Sequence, residues 1–566
     1  MKTKTLSILL IFFTLTTFSQ VAPDKYFVRF TDKNNSPFSI DNPSEFLSQR
    51  AIERRLNQGI AIDVSDLPVN PSYLQGVAET GATILNPSKW LNGVSIFTDN
   101  PSVLEAINAL PYVAGMTLPA EPFPAGTGLD GDFEKPFLKH EVYDQAIVSN
   151  AKQGYEIGSY NYGMGLNQIQ MLNGDVFHEM GYRGQGKVIA VLDAGFYNAN
   201  ILDVFDSLWE NNQILGTHDF VRGGDILFDE HPHGSMVLSC MGGNYPGQLI
   251  GTAPRASYWL LRSEDGGTEY IIEEYNWVSA AEYADSVGAD VINSSLGYSE
   301  FNDPAQNHTY ADMNGDTAPA TIGADMASKK GILVVNSLGN EGSSDWYYLS
   351  APSDGDSVLG IGAVDENGYY ASFSSHGPSY DGRVKPDVVA QGSGCYVADP
   401  YGGGFGYGSG TSFSSPILAG MAACLWQANP SLTNMQIADA IRHSASQYVS
   451  PDDMLGYGIP DFVLANNILT VIISPDEDIA FLDFYPNPFR DVFIIDAGRH
   501  GGMEAWMNDG HVEISDITGR FIGSQKIDLT HSGTVTINLL KNAPKGLYFV
   551  KVSLNGTQSI QKIVKE

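Results

Sequence analysis

Hydrophobic and polar positions along the chain fall into successive stretches of different period. Between about Asp24 and Leu118, short apolar runs alternate with helix-period segments. Lys25–Phe30 (KYFVRF), residues 91–99 (LNGVSIFTD) and residues 112–118 (YVAGMTL) read as strands. Residues 44–59 open on a capping serine, keep an amphipathic spacing and end on glycine, which predicts a helix. Residues 100–110 predict a second, capped by Asn100. The stretch 21–120 therefore reads as a small α+β unit ordered strand–helix–strand–strand–helix–strand. Residues 121–160 are rich in Pro, Gly and charge, carry no period and read as a linker.

The stretch 161–470 behaves differently. KVIAVLD, ADVINSSL, GILVVNSLGN and SVLGIGAV are continuous apolar runs, as strands of a parallel sheet covered on both faces require. Helix-period segments separate them, so the fold class is α/β with a doubly wound, mostly parallel sheet. From 481 to 566, VEISDITGR, TVTINLL and GLYFVKVSLNG alternate apolar and polar residues between Gly/Asn turns, which predicts an all-β antiparallel sandwich.

Composition narrows the function. With 31 Lys+Arg against 65 Asp+Glu the net charge is −34, which excludes a nucleic-acid or anionic-membrane binder that works through clustered cations. Most of this excess sits in the α/β stretch; the terminal sandwich is near neutral. A hydrophobic fraction of 43% excludes global disorder. Residues 1–20 (MKTKTLSILLIFFTLTTFSQ) join a basic start to an apolar run too short to span a bilayer, and small residues follow, the pattern of a signal peptide. No other run is long enough to span, so the expected mature chain has no transmembrane segment. The sequence holds three cysteines, with Cys240 and Cys424 at buried helix positions and Cys395 in a loop; no disulfide is expected.

Three residues fit nucleophilic catalysis. Asp193 ends the run VIAVLD, where parallel strands place functional groups. His233 precedes a helix-like run; His231 competes with it, but Gly234 and the helix start favour His233 and leave His231 to the surface. Ser412 lies in a Gly-rich turn that feeds a helix. A serine hydroxyl needs an adjacent base, the base needs a carboxylate to fix its tautomer, and the oxyanion needs a donor such as Asn340 in VVNSLGNEG.

These stretches together resemble the subtilisin-like serine peptidases, the subtilase family, in the chain order Asp…His…Ser. Gly410, Thr411, Ser412 and Pro416 match the serine pattern, His233, Gly234 and Val237 the histidine pattern, and Gly339, Asn340 and Gly342 the oxyanion pattern. The resemblance implies a serine endopeptidase acting on proteins or peptides through an acyl-enzyme. It implies that Ser295, Leu296 and Gly297 bind substrate backbone. Ala194 departs from it, because a hydroxyl residue usually follows the aspartate. Glu341 is expected at the pocket rim, where it would favour basic side chains. Catalysis needs no cofactor, but the family holds structural calcium, and Asp312, Asn314 and Asp316 offer oxygens at alternating positions.

The flanking stretches carry resemblances too. Residues 21–120 are similar to the family's propeptide, which implies an intramolecular inhibitor and chaperone, cut off within 121–160, around 151–160. FYPNPFRD, SDITGR, GLYFVKV and the terminal KIVKE resemble the C-terminal sorting domain of the type IX (Por) secretion system of Bacteroidetes. That implies export by the type IX machinery, through the periplasm to the medium or the outer cell surface. The expected state is a monomer.

Overall fold

The computed structural model describes residues 20–116, 135, 141–145, 156–157, 160–473, 483–496, 509–516, 520–528, 534–554 and 557–565. The expected signal peptide lies outside them apart from Gln20, as does most of the expected cleavage stretch 151–160.

In the N-terminal unit, β1 (Lys25–Phe30), α1 (Gln49–Asn57), α2 (Pro71–Glu79), β2 (Thr83–Ser88), β3 (Gly93–Phe97), α3 (Pro101–Asn108) and β4 (Val113–Gly115) follow one another. The sheet order is β2-β3-β1-β4 with antiparallel pairs. The observed order is strand–helix–helix–strand–strand–helix–strand, one helix more than the expected strand–helix–strand–strand–helix–strand. Helix α2 escaped the sequence pattern, although Asn70 caps it and Pro71 opens it. The expected helix over residues 44–59 is α1, which starts later because Ser48, not Ser44, is its cap: the Ser48 hydroxyl accepts from the Ala51 N–H at 3.2 Å.

The central unit is built on seven strands. They are β6 (Val188–Asp193), β7 (Ile214–Asp219), β8 (Ser257–Arg262), β9 (Val291–Ser294), β10 (Leu333–Ser337), β11 (Val358–Val364) and β12 (Val388–Gln391), in the order β12-β11-β10-β9-β6-β8-β7. Every neighbouring pair is parallel. Strands β6, β9, β10, β11 and β12 are buried throughout, which explains their unbroken apolar character. Helices α4 (His233–Gly242), α5 (Ile272–Val287), α6 (Pro319–Lys329) and α7 (Thr411–Ala428) cover the sheet. Two apolar clusters fill the space, one containing Val191, Leu333 and residues of α4 and α7, the other Leu192, Ile292 and residues of α5 and α6. Strand order reverses at β6, so its carboxyl end faces a crevice.

A second sheet borders that crevice. Strands β13 (Cys395–Ala398) and β14 (Phe405–Ser409) form a hairpin, and β5 (Val142–Gln145) pairs antiparallel with β14. Cys395, expected in a loop, therefore opens a strand. All three cysteines are buried free thiols, and burial pushes each thiol above its ordinary pKa.

At the C-terminus, a sheet of β15 (Asp483–Tyr485), β16 (Phe493–Asp496) and β19 (Thr534–Ile537) packs on one of β17 (Asp509–Asp516), β18 (Phe521–Asp528), β20 (Gly546–Leu554) and β21 (Thr557–Lys565). Phe493, Ile495 and Ile537 from one sheet meet Val512, Ile514, Val550 and Ile563 from the other. This is the expected sandwich. No helix among the described residues is long and apolar enough to cross a membrane.

Candidate active site

Asp193 ends β6 and His233 begins α4, and the two meet at the carboxyl edge of the sheet. Gly234 allows this: a Cβ there would come within 2.9 Å of Asp193 Cβ and 2.4 Å of the Gly195 carbonyl oxygen. Asp193 Oδ1 lies 2.7 Å from His233 Nδ1 and also accepts the Ala194 N–H at 2.8 Å. Both side chains are fully buried. Asp193 Oδ2 has no hydrogen-bond donor among the described residues, which is where the hydroxyl missing at Ala194 would count. Burial raises the Asp193 pKa, and the His233 charge opposes it. Burial pulls His233 down, but the carboxylates of Asp193 and Glu141 outweigh it and hold the imidazole well above 6.5.

Ser412 is the second residue of α7. Pro416 lies four residues on and has no N–H, so the Ser412 carbonyl loses its helical donor. Ser295 Oγ takes that place and donates to the Ser412 carbonyl oxygen at 2.9 Å. The helix start and the segment after β9 are thereby tied together. The ring of Phe413, the next residue, is 6.3 Å from the His233 ring.

Asn340 follows β10, and its Oδ1 accepts from the Thr411 N–H at 2.8 Å and the Thr411 hydroxyl at 2.9 Å. Those bonds assign Oδ1 to the turn before the nucleophile and make Nδ2 the donating end. Gly339 adopts φ +117°, a conformation that favours glycine. Leu296 is anchored by the Asn336 amide, which donates to its carbonyl oxygen at 3.0 Å. A Cβ on Gly297 would meet Ser350 Oγ at 2.2 Å, so only glycine fits this edge of the segment.

The structure thus joins Asp193 to His233, Asn340 to Thr411 beside Ser412, and Ser295 to the Ser412 backbone, while the Ser412 hydroxyl donates to the Ser295 carbonyl oxygen at 3.5 Å. Glu341 is not at a rim: it is fully buried, with Ser299 Oγ 3.4 Å from each carboxylate oxygen, because the loop after Asn340 turns inward. His231 is half-buried rather than on the surface, and burial lowers its pKa to about 4. The residues picked for calcium form a self-contained turn. Asp312 Oδ2 accepts the Thr309 N–H and hydroxyl, and Asn314 Oδ1 accepts the Asp316 N–H and the Thr317 hydroxyl. Those oxygens are engaged within the turn, and Asp316 is exposed.

Two residues of the linker enter the site, and sequence patterns did not point to either. Glu141 packs against Gly410, where a Cβ would lie 2.8 Å from Glu141 Oε1, and that oxygen is 3.4 Å from His233 Nε2. The chain then continues as β5, with Val142 paired to Ser409. Lys135 is buried among Glu264, Glu269 and Glu273: its Nζ is 3.2 Å from Glu269 and 2.7 Å from Glu273, and pairs with Glu264 as well.

The N-terminal unit docks on α5. Asp285 accepts from Arg55 and Lys89, each at 2.9 Å, and from Arg54; all four groups are buried. Burial would raise the Asp285 pKa, but the three cations override it and hold the carboxyl well below its ordinary value. Glu282 accepts the N–H groups of Lys89 and Trp90 at 2.7 and 2.9 Å.

Comparison with known proteins matches three stretches of the chain. Residues 184–458 match the subtilase family, residues 25–125 the peptidase S8 propeptide domain of Bacteroidota, and residues 483–566 the secretion system C-terminal sorting domain. Subtilisin E of Bacillus subtilis (strain 168) is 30% identical over 295 residues, covering 51% of this chain and 68% of that protein. Subtilisin DY of Bacillus licheniformis is 31% identical over 284 residues, covering 49% and 90%. Among solved structures, the MycP3 protease from the type VII (ESX-3) secretion system is 22% identical with a TM-score of 0.42, covering 53% of this chain and 87% of that one.

Proposed function

The chain belongs to the subtilase family of serine-type endopeptidases, and we propose that it cuts proteins outside the cell through Asp193, His233 and Ser412. The 2.7 Å contact of His233 Nδ1 with Asp193, beside a helix whose second residue is Ser412, carries this reading. His233 Nε2 takes the Ser412 proton as Oγ attacks the scissile carbonyl, and returns it to the leaving amine. Asp193 holds the tautomer and stabilises the imidazolium. Asn340 Nδ2 donates to the oxyanion, and Ser295–Gly297 align the substrate backbone. Water then releases the acyl group by the reverse path.

The chain carries a propeptide domain and a sorting domain, and the latter indicates secretion or attachment to the cell surface. In the proposed cycle the uncut chain is a zymogen. The N-terminal unit clamps α5 through Asp285, and Glu141 adds to Asp193 in favouring the charged imidazole, which opposes its use as a base. The propeptide then acts as an intramolecular inhibitor and folding aid, the sorting domain addresses a monomer to the type IX machinery, and cutting the linker releases the enzyme.

Hydrolysis of an unfolded protein substrate by the purified, processed protein tests the reading. Wild type is expected to cut it and Ser412→Ala is not; equal activity in both overturns the assignment.

A further inference from the structure

Glu264 lies two residues beyond β8, Glu269 in the following loop, and Glu273 in the first turn of α5. One oxygen from each lies within 4.8 Å of the other two. All three carboxylates are buried, and Tyr298 donates to Glu264 Oε2 at 2.9 Å. Glu269 is fixed from behind: its N–H donates to Asn302 Oδ1 at 2.6 Å, and its carbonyl accepts the Asn302 N–H at 2.8 Å. Its carboxylate is fully buried, yet neither oxygen has a hydrogen-bond donor among the described residues; what faces it is the Lys135 ammonium at 3.2 Å.

Such a cluster is costly when empty. Burial and mutual repulsion push Glu269 and Glu273 well above the ordinary carboxylate range, and a cation relieves both. An ammonium has three donors, which suits three converging carboxylates. Its occupant, Lys135, belongs to neither flanking domain: it lies between the matched propeptide at 25–125 and the matched peptidase at 184–458.

The pocket also borders the catalytic centre. Tyr298 directly follows the substrate-binding segment 295–297. A Cβ on Gly266 would lie 2.9 Å from His231 Cδ2, and Lys135 is near enough to help lower His231, two residues from His233. Glu141, six residues after Lys135, reaches His233 Nε2, and β5 then leaves along β14. The linker is thus held at two described points, Lys135 among the three glutamates and Glu141 beside His233.

We propose that Glu264, Glu269, Glu273 and Tyr298 form a recognition pocket for a lysine or arginine side chain of the polypeptide to be cut, on the N-terminal side of the scissile bond. Lys135 is the chain's own occupant, and release of the linker opens the pocket to substrate. The inference rests on the peptidase reading above and narrows its substrate class.

The test uses the processed protein and a peptide series in which Lys, Arg, Leu or Glu is placed in turn at each of several positions before one scissile bond. At one position, kcat/KM is expected to favour Lys and Arg over Leu by about 10- to 100-fold, the worth of a buried charge-assisted contact. Glu273→Gln and Glu264→Gln are each expected to lower that ratio. The wild-type series decides by itself should either variant fold poorly. Wild type that cuts the Leu peptides but prefers no basic residue overturns the pocket and leaves the peptidase standing; wild type that cuts nothing overturns both. A basic preference that survives both substitutions overturns the pocket. So does calcium that raises the melting temperature of wild type but not of Glu273→Gln without any basic preference, since the cluster is then a metal site.

Discussion

Glu141 Oε1 stands 3.4 Å from His233 Nε2, the nitrogen that a neutral catalytic histidine uses to accept the serine proton. Asp193 holds the other ring nitrogen at 2.7 Å, so the imidazole lies between two carboxylates in a fully buried site. The uncut chain therefore stabilises the imidazolium. A raised His pKa contributes stability that is present below the unfolded value and is lost as pH rises through the folded one.

Glu141→Gln removes one of the two charges. The His233 pKa in the uncut chain is expected to fall, since burial is then opposed by Asp193 alone. NMR titration of uncut Ser412→Ala chains, with and without Glu141→Gln, reads this directly. With Ser412 intact, self-processing at neutral pH is expected to speed up and its half-maximal pH to move down. An unchanged pH profile contradicts the carboxylate block.

The buried Asp193 Oδ2 without a donor makes Ala194→Ser informative. A hydroxyl there is expected to donate to it, lower the Asp193 pKa and add about 1 kcal/mol of stability, the usual net worth of one hydrogen bond. A higher melting temperature at neutral pH supports this; a lower one shows that the pocket around Ala194 rejects the extra atom.

Much of this site was legible in the sequence, for a physical reason. The nucleophile, its turn and Pro416 lie within seven residues, and each catalytic residue sits at the end of a strand or the start of a helix, where local pattern is strongest. The apolar strands were legible too, because both of their faces are covered. What the pattern missed depends on contacts distant in sequence. Glu141 reaches His233 because β5 pairs with β14 about 260 residues away. The Lys135 pocket gathers three glutamates from a loop and a helix start at spacings with no period. Glu341 looked like a rim residue because it follows Asn340, yet the turn of the loop buries it. Helix α2 was hidden by Gly76 inside a short stretch, and its real signals were Asn70 and Pro71 at its start.

Asp285→Asn tests the docking of the N-terminal unit. It leaves Arg54, Arg55 and Lys89 buried around a neutral amide, which is expected to cost about 3–5 kcal/mol. The melting temperature of uncut Ser412→Ala should drop accordingly. The effect should persist at high salt, because buried pairs are poorly screened. A drop that vanishes in salt contradicts a buried clamp.

Asn340→Ala removes the oxyanion donor while Thr411 keeps its other contacts. The turnover number of the processed enzyme is expected to fall by about 100- to 1,000-fold with little change in KM. A loss seen only in KM places Asn340 in ground-state binding.

The central claim is that Ser412 is a nucleophile activated by His233 and held by Asp193. Treating the processed protein with a fluorophosphonate and mapping the adduct by mass spectrometry tests it most directly. The expected result is a single adduct on Ser412, absent in Ser412→Ala and formed far more slowly in His233→Ala. An adduct on another residue, or undiminished labelling and hydrolysis in Ser412→Ala, would contradict it.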